Sequence, residues 1–227
     1  MHTQPGPRTL DAVTGHRRRP SAELLERDDA IETLVRHRQE ARAGAGRLVL
    51  VSGEAGVGKT SLLRQFAADD PEVLWGYCDP LRNPRPLGPL ADIAGQLGWD
   101  VEHAMTSLSR TSLFTRLLSE VSEPPGRVVV IEDVHWADDS TLDLLRYLGR
   151  RVAEHPVLLL ASHRDDGLGA HHPLRTTVGD LTPSAGLARL QLRPLGPGSV
   201  SRLCEGSGLD GEDVHRRTGG NPFFVTE

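Results

Sequence analysis

The hydrophobic residues of this chain gather in short runs that predict the strands of one sheet. Four runs are mostly apolar, as is typical of strands covered on both faces. A fifth stretch alternates apolar and polar residues, which indicates an edge strand with one face in water. The predicted strands cover residues 47–51, 73–77, 128–131, 156–161 and 188–192.

Between these runs, apolar residues recur at the spacing of one helix face. Helices are predicted from residue 29, after the glycine-rich segment 53–60, over 87–98, over 111–122, and after a capping box at Ser140–Asp143. Residues 165–186 show no such spacing and predict a mobile, irregular loop. Because strands and helices alternate, we expect a parallel sheet that binds its ligand beyond the carboxyl ends of the strands.

Changes in composition divide the 227 residues into three parts. Residues 1–22 are rich in proline, arginine and glycine and predict a disordered leader. Residues 23–195 carry the alternating pattern and form the predicted core. From about residue 196 the glycine and proline spacing changes, so 196–227 predict the short helices of a partial, truncated lid.

Charge and cysteine content exclude several classes of protein. The formal net charge of −5 argues against direct contact of this segment with nucleic acid. The sequence has neither the apolar run of a membrane span nor that of a secretory signal. Cys78 and Cys204 lie far apart and are expected to be free thiols, so a cytoplasmic protein is predicted.

The strongest chemical signal lies in the glycine-rich segment. Gly-Glu-Ala-Gly-Val-Gly-Lys-Thr at 53–60 matches G-x-x-x-x-G-K-[ST] at every fixed position, between a predicted strand and a predicted helix. The glycines let backbone N–H groups curl around phosphate oxygens at the positive end of that helix. The predicted nucleotide contacts are Gly53, Gly56, Val57, Gly58, Lys59, Thr60 and Ser61.

Lys59 is the only lysine among 26 basic residues, and the other 25 are arginines. A guanidinium is a wide planar fork, whereas this site needs a compact ammonium that reaches between the β- and γ-phosphates. Lys59 is therefore predicted to neutralise charge that develops on the γ-phosphate, and Thr60 to offer its hydroxyl to Mg²⁺. These residues predict that the chain binds a nucleoside triphosphate with Mg²⁺.

Two acidic residues follow the third predicted strand and form the Walker B candidate. Glu132 and Asp133 would lie at the carboxyl end of that strand, where the magnesium of such a site is held. One acid would orient the metal's water shell and the other would polarise the attacking water.

Two other features near the strand ends each have two interpretations. Arg164 follows the fourth predicted strand and could contact the γ-phosphate, or it could be an exposed structural arginine. The segment His135–Asp138 favours a packing turn, in which Trp136 covers the sheet end and Asp138 binds backbone donors, over a catalytic histidine.

Several segments together resemble a known family. They are similar to the ATPase domain of STAND-class signalling NTPases, a branch near AAA+ proteins. Within that class they most resemble the N-terminal module of LuxR-type large ATP-binding transcriptional regulators. The matching segments are 25–28, 53–63, 128–141, 158–164 and 218–227.

The resemblance implies a P-loop NTPase fold of class α/β, a three-layer sandwich with a parallel sheet and a helical lid. It implies that Arg27 and Pro222 border the adenine and that Arg164 is the sensor arginine. By their order, Glu132 is assigned to the metal with Thr60, and Asp133 to the water. The chain departs from the family at Glu26, where glycine is usual, and at Glu132, where aspartate is common.

The leading expectation is an Mg-ATP-binding signalling switch of a transcriptional regulator, with weak conversion of ATP and water to ADP and phosphate. The alternatives are a non-hydrolysing ADP/ATP-binding interaction module and a P-loop small-molecule phosphotransferase. A GTPase is disfavoured, because Asn-Lys-x-Asp needs a lysine other than Lys59. Expected protein partners are a second copy of the chain or the C-terminal domains that family members usually carry.

Overall fold

The computed structural model describes residues 24–68, 70–71 and 73–227, so the predicted leader 1–22 lies outside the described residues. Within this part, five strands form one sheet in the order β2-β3-β4-β1-β5, and all neighbours are parallel. The strands are β1 (Arg47–Ser52), β2 (Val73–Tyr77), β3 (Val128–Glu132), β4 (Leu158–His163) and β5 (Leu187–Gln191). The five predicted strands are confirmed, and β5 lies at an edge, as its alternation predicted.

The helices of the described residues lie on both faces of the sheet and at its carboxyl edge. They are α1 (Asp28–Arg42), α2 (Lys59–Ala67), α3 (Gly88–Gln96), α4 (Val101–Ser107), α5 (Arg110–Val121), α6 (Asp139–Gly149), α7 (Pro173–Leu181), α8 (Pro197–Cys204), α9 (Gly211–Thr218) and α10 (Pro222–Thr226). None of them combines the length and the apolar character needed to cross a bilayer.

Two apolar clusters on opposite faces of the sheet form the core. Successive side chains of a strand point to opposite faces, so Leu48 and Leu50 of β1 enter one cluster, and Val49 and Val51 enter the other. The first cluster is completed mainly by α3, α5, α6 and α7, and the second by α1 and α2. This arrangement confirms the predicted three-layer α/β sandwich.

The predicted lid helices are present as α8, α9 and α10. They share a small apolar cluster of their own, centred on Leu195, Val200 and Cys204, against which Leu25 also packs. The carboxylate of Glu26 accepts the N–H of Gly196 at 3.0 Å, so the segment before α1 is tied to the start of the lid. The boundary between core and lid at residue 195 stays a prediction.

The prediction of an irregular loop over residues 165–186 is wrong, since α7 lies within it. Leu174 and Leu181 of α7 are fully buried, and the helix begins with Pro173, a residue suited to the first turn. Leu174, Val178 and Leu181 do follow helical spacing, but glycine and polar residues on either side obscure it in the sequence. Helix α4 was also not predicted; it is short and is capped by Asp100.

The predicted capping box at Ser140–Asp143 is wrong as well, because Asp138 caps α6. The Asp138 carboxylate accepts the N–H of Ser140 at 2.9 Å and that of Thr141 at 3.3 Å. It also accepts the N–H of Leu87 at 3.2 Å, just before α3. Asp138 therefore satisfies the backbone donors at the start of two helices, which confirms that part of the packing-turn interpretation.

We expect Asp138→Ala to lower the free energy of unfolding by about 1–2 kcal/mol, the usual effect of losing an aspartate cap. Chemical denaturation of the variant and the parent protein measures the change. Asp139→Ala is the matched control, because this neighbouring aspartate is exposed in the first turn and its loss should cost less than about 0.5 kcal/mol. Equal effects of the two changes would contradict the assignment of the cap.

Candidate functional site

The glycine-rich segment forms a loop between β1 and α2, at the carboxyl end of β1, an interior strand that lies between β4 and β5. Gly58 caps α2 with a left-handed φ of +99°, and no side chain of the described residues caps this helix end. A left-handed backbone is accessible to glycine at little cost. The first N–H groups of α2 have no partner within the helix, so they can bind an anion.

Lys59 begins α2 and folds back over the loop. Its Nζ donates to the carbonyl oxygens of Gly53 and Glu54, both at 2.8 Å, and the residue is only 7% exposed. Burial lowers the pKa of Lys59, while the negative charge of Asp133 opposes that shift. An ammonium has three N–H donors, so one donor remains for an anion after the two loop carbonyls are bound.

The two acids at the end of β3 occupy different surroundings. Glu132 is 6% exposed, and its Oε1 is buried without a hydrogen-bond partner in the described structure. Burial raises the pKa of this carboxyl, and a hydrogen bond with Thr60 opposes the rise. Asp133 adopts a left-handed φ of +58°, and its N–H donates to Ser162 Oγ at 3.0 Å.

A cleft of about 490 Å³ lies over the loop. It brings together eight of the predicted site residues: Gly56, Gly58, Lys59, Thr60, Ser61, Asp133, Arg164 and Pro222. Gly53, Val57, Arg27 and Glu132 do not line it. Three lining residues were missed, namely Ala55, Phe223 and Thr226. Phe223 had a sequence signal, because it stands in the segment 218–227 that carried the resemblance.

Arg27 occupies a position that the sequence did not predict. The side chain is 6% exposed, and its Nη2 donates to Val57 O at 3.0 Å and to Arg193 O at 2.9 Å. It thus connects the glycine-rich loop to the segment after β5. Its contact with adenine stays a prediction. The preceding Glu26 has a left-handed φ of +57°, a conformation that glycine adopts more readily than other residues.

A buried histidine, His135, lies beside the cleft residue Asp133. Both ring nitrogens of His135 are buried and have no hydrogen-bond partner among the described residues. Its Nδ1 is 3.8 Å from Asp133 Oδ1, and its ring lies 5.0 Å from that of Trp136. Trp136 keeps 40% of its surface exposed. In the described part of the chain, no group of three or more His, Cys, Asp or Glu residues is arranged to hold a metal.

His163 provides a prediction for pH dependence. Burial lowers the pKa of this histidine to about 4, so the folded protein disfavours its charged form. Above the unfolded pKa of about 6.5, His163 is neutral in both states and costs the fold no stability. As pH falls from about 6.5 toward 4, the free energy of unfolding decreases, because only the unfolded chain then takes up the proton. Between pH 7 and pH 5, we expect His163 to account for about 1–2 kcal/mol of lost stability.

The free energy of unfolding at pH 7 and pH 5 tests this expectation. His163→Gln should lose less stability over this interval than the parent protein, because glutamine does not titrate. An equal loss in both proteins would show that His163 is not the group responsible.

Comparison with known proteins identifies the family. A family model described as an AAA ATPase domain matches residues 23–160, more than half of the chain. The chain belongs to the AAA ATPase domain family. It is therefore a nucleotide-binding module.

This AAA ATPase domain is similar to parts of much longer proteins. It is 30% identical over 186 residues to the HTH-type transcriptional regulator MalT of Yersinia enterocolitica, covering 70% of the chain and 20% of MalT. It is 26% identical over 256 residues to an uncharacterized protein of Rhizobium meliloti, covering 90% of the chain and 24% of that protein. The domain thus spans about a fifth to a quarter of the length of these relatives.

Solved structures share the fold of the AAA ATPase domain. A STAND protein with a tetratricopeptide repeat sensor from Pyrococcus horikoshii is 18% identical, with a TM-score of 0.53 over 83% of the chain and 28% of its own. Cdc6p from Pyrobaculum aerophilum is 17% identical, with a TM-score of 0.56 over 84% of the chain and 50% of its own. At these identities the likeness establishes the fold alone.

Proposed function

We propose that this domain binds Mg-ATP in the cleft, hydrolyses it slowly, and acts as a nucleotide-controlled switch within a longer regulator. One observation carries the proposal: the cleft combines the phosphate loop and Lys59 with Asp133, Arg164 and residues of the lid. The loop and Lys59 are suited to bind a polyphosphate, and Asp133 and Arg164 are suited to act on its last phosphate. The lid can respond to the bound nucleotide.

Thr60 and Glu132 are the residues that fit Mg²⁺. A hydroxyl and a carboxylate oxygen are hard donors that suit this cation. The buried Glu132 Oε1 has no partner in the described residues, and a water of the metal shell would satisfy it. Bound Mg²⁺ would neutralise charge on the phosphates of the nucleotide.

Asp133 and Arg164 would act on the reacting phosphate. Asp133 faces the cleft, so its carboxylate can accept a proton from the attacking water. The guanidinium of Arg164 would bind γ-phosphate oxygens and offset the charge that develops on them. Lys59 would use its remaining N–H on the same phosphate. The reaction forms ADP and inorganic phosphate.

The walls of the cleft support the role as a switch. Core residues form one wall, whereas Pro222, Phe223 and Thr226 of α10 contribute to the other. A ligand that contacts both walls stabilises the docked lid, and a ligand that loses the contact with Arg164 stabilises it less. ATP and ADP can shift the position of the lid only through such a difference in affinity.

The relatives support a place in a signalling protein. MalT is described as an HTH-type transcriptional regulator, and the Pyrococcus horikoshii protein as a signal transduction ATPase. By analogy, this domain would transmit its nucleotide state to other domains of its own protein or to a second copy of the chain. The analogy rests on similarity and on the fold.

Nucleotide binding and single-turnover hydrolysis test the proposal. Calorimetry should show that Mg-ATP and Mg-ADP bind, and bound ATP should yield ADP and free phosphate on the order of 10⁻³ to 10⁻² s⁻¹, as in P-loop switches. Binding without release of phosphate would favour the non-hydrolysing module. Transfer of the phosphate to an added small-molecule acceptor would favour a phosphotransferase, and absence of binding would refute the proposal.

A further inference from the structure

The carbonyl groups of the phosphate loop show how the loop is held in shape. All five consecutive carbonyl oxygens from Gly53 to Val57 accept a hydrogen bond. Lys59, a residue of the motif, binds the first two, those of Gly53 and Glu54. The other three are bound by groups that lie far from the loop in sequence and outside the motif.

These three donors come from the lid and from the segment before α1. Asn221 Nδ2 donates to Ala55 O at 2.8 Å, and the N–H of Phe223 donates to Gly56 O at 3.3 Å. Arg27 Nη2 donates to Val57 O at 3.0 Å. Residues 55 and 56 of the loop are therefore bound by the start of α10, and residue 57 is bound by Arg27.

Asn221 is held rigidly enough to define the contact. The residue is 4% exposed, and its Oδ1 accepts the N–H of Phe223 at 3.1 Å, which caps α10. This bond fixes the orientation of the side-chain amide, so Nδ2 is directed at Ala55 O. One side chain thus both starts the lid helix and binds the phosphate loop.

The orientation of these carbonyls controls the groups that bind phosphate. In a trans peptide the C=O and the following N–H point in opposite directions. When Ala55 O and Val57 O are held by Asn221 and Arg27, the N–H groups of Gly56 and Gly58 turn to the opposite side. Converging N–H groups of this kind form an anion-binding concavity.

Helix α10 and the loop are also in close van der Waals contact. Gly56 has a φ of +78°, and a Cβ added to it would lie 2.6 Å from the Cβ of Phe223. No real Cβ atoms approach so closely, so α10 can dock in this position only against a glycine. The position of α10 and the shape of the loop are thereby linked.

We propose that Asn221 is a positioning residue that couples docking of α10 to phosphate binding by the loop. Arg27 supports the same loop through its hydrogen bond to Val57 O. The inference rests on the proposed nucleotide binding and assigns a role in it to a residue outside the motif. Because linkage is reciprocal, a loop stiffened by Asn221 binds nucleotide more tightly, and bound nucleotide holds α10 more firmly.

Asn221→Asp tests the coupling with little change in shape. An aspartate can still cap α10 through one oxygen, but the other oxygen would face Ala55 O and repel it. Asn83→Asp is the matched control, since Asn83 is the only other asparagine, also precedes a proline, and is exposed. We expect the dissociation constant of Mg-ATP to rise about tenfold in Asn221→Asp and less than twofold in Asn83→Asp.

Limited trypsin digestion measures the lid itself. Arg216 and Arg217 are exposed in α9, just before the turn that leads to α10. Saturating Mg-ATP should slow cleavage there in the parent protein and in Asn83→Asp, and should have little effect in Asn221→Asp. Loss of this ATP-dependent difference at full occupancy is not expected from a side chain that only stabilises the fold.

The outcomes separate this inference from the proposed function. If the parent protein binds Mg-ATP, and Asn221→Asp matches it in affinity and in protection, the coupling is refuted while nucleotide binding stands. If the parent protein does not bind, the proposed function fails first. Should Asn221→Asp not fold, hydrogen exchange of the Phe223 amide in the parent protein decides: slower exchange with Mg-ATP supports the coupling, and unchanged exchange refutes it.

Discussion

Replacing Lys59 with alanine is expected to lower the rate of ATP hydrolysis about 100- to 1,000-fold, equivalent to about 3–4 kcal/mol of lost transition-state stabilisation. The reason is that Lys59 lines the cleft, and its ammonium keeps one N–H donor for an anion after it binds the two loop carbonyls. The affinity for Mg-ATP should fall as well, because the same charge binds the ground state. Single-turnover hydrolysis and calorimetry measure the two effects.

Lys59→Arg is the control that separates charge from shape. The two loop carbonyls that bind Nζ at 2.8 Å form a narrow acceptor pair, and a planar guanidinium is too wide to replace a compact ammonium there. We therefore expect Lys59→Arg to be nearly as inactive as Lys59→Ala, although it keeps the positive charge. Near-normal hydrolysis by Lys59→Arg would mean that positive charge alone is sufficient.

The second large effect is expected at Asp133. Asp133→Asn should lower the rate of hydrolysis about 100- to 10,000-fold, the usual contribution of a general base, because an amide cannot accept the proton of the attacking water. Affinity for Mg-ATP should stay within about threefold, or increase, because a negative charge beside the phosphates is removed. The measurement is single-turnover phosphate release at saturating Mg-ATP.

Glu132→Gln is the matched variant for the other acid. Glu132 does not line the cleft, but it interacts with Thr60, and we propose that these two residues hold Mg²⁺. Loss of its carboxylate should therefore raise the Mg²⁺ concentration needed for nucleotide binding. If Glu132→Gln abolished hydrolysis with normal Mg²⁺ dependence, and Asp133→Asn altered only the Mg²⁺ dependence, the roles of the two acids would be reversed.

The sheet could be predicted because its strands have strong local signals. The continuous apolar runs at β1, β3 and β4 enter clusters on both faces of the sheet, and few other structures bury such runs so completely. Helix α7 was missed because its three apolar positions are isolated among polar residues. The cap of α6 was misplaced because Ser140 and Asp138 are both suitable cap residues, and only the folded structure, in which the Asp138 carboxylate accepts the N–H groups of Ser140 and Thr141, distinguishes them.

Most residues that line the candidate site could be predicted where they are close in sequence. The loop, the two acids, Arg164 and Pro222 each stand in a short motif beside a strand or a helix. The roles of Asn221 and Arg27 depend on contacts that span great distances along the chain. Asn221 and Ala55 are 166 positions apart, and so are Arg27 and Arg193. Hydrogen bonds of this range leave no local pattern, so only the folded structure shows them.

The central claim is that the phosphates of a nucleotide bind at Lys59 and the first turn of α2. Because Lys59 is the only lysine, protein labelled with ¹⁵N in lysine alone gives one backbone amide resonance, that of the site itself. We predict that Mg-ATP and Mg-ADP shift this resonance to saturation, whereas adenosine, which has no phosphate, leaves it in place. A resonance that does not move at high Mg-ATP would contradict the account.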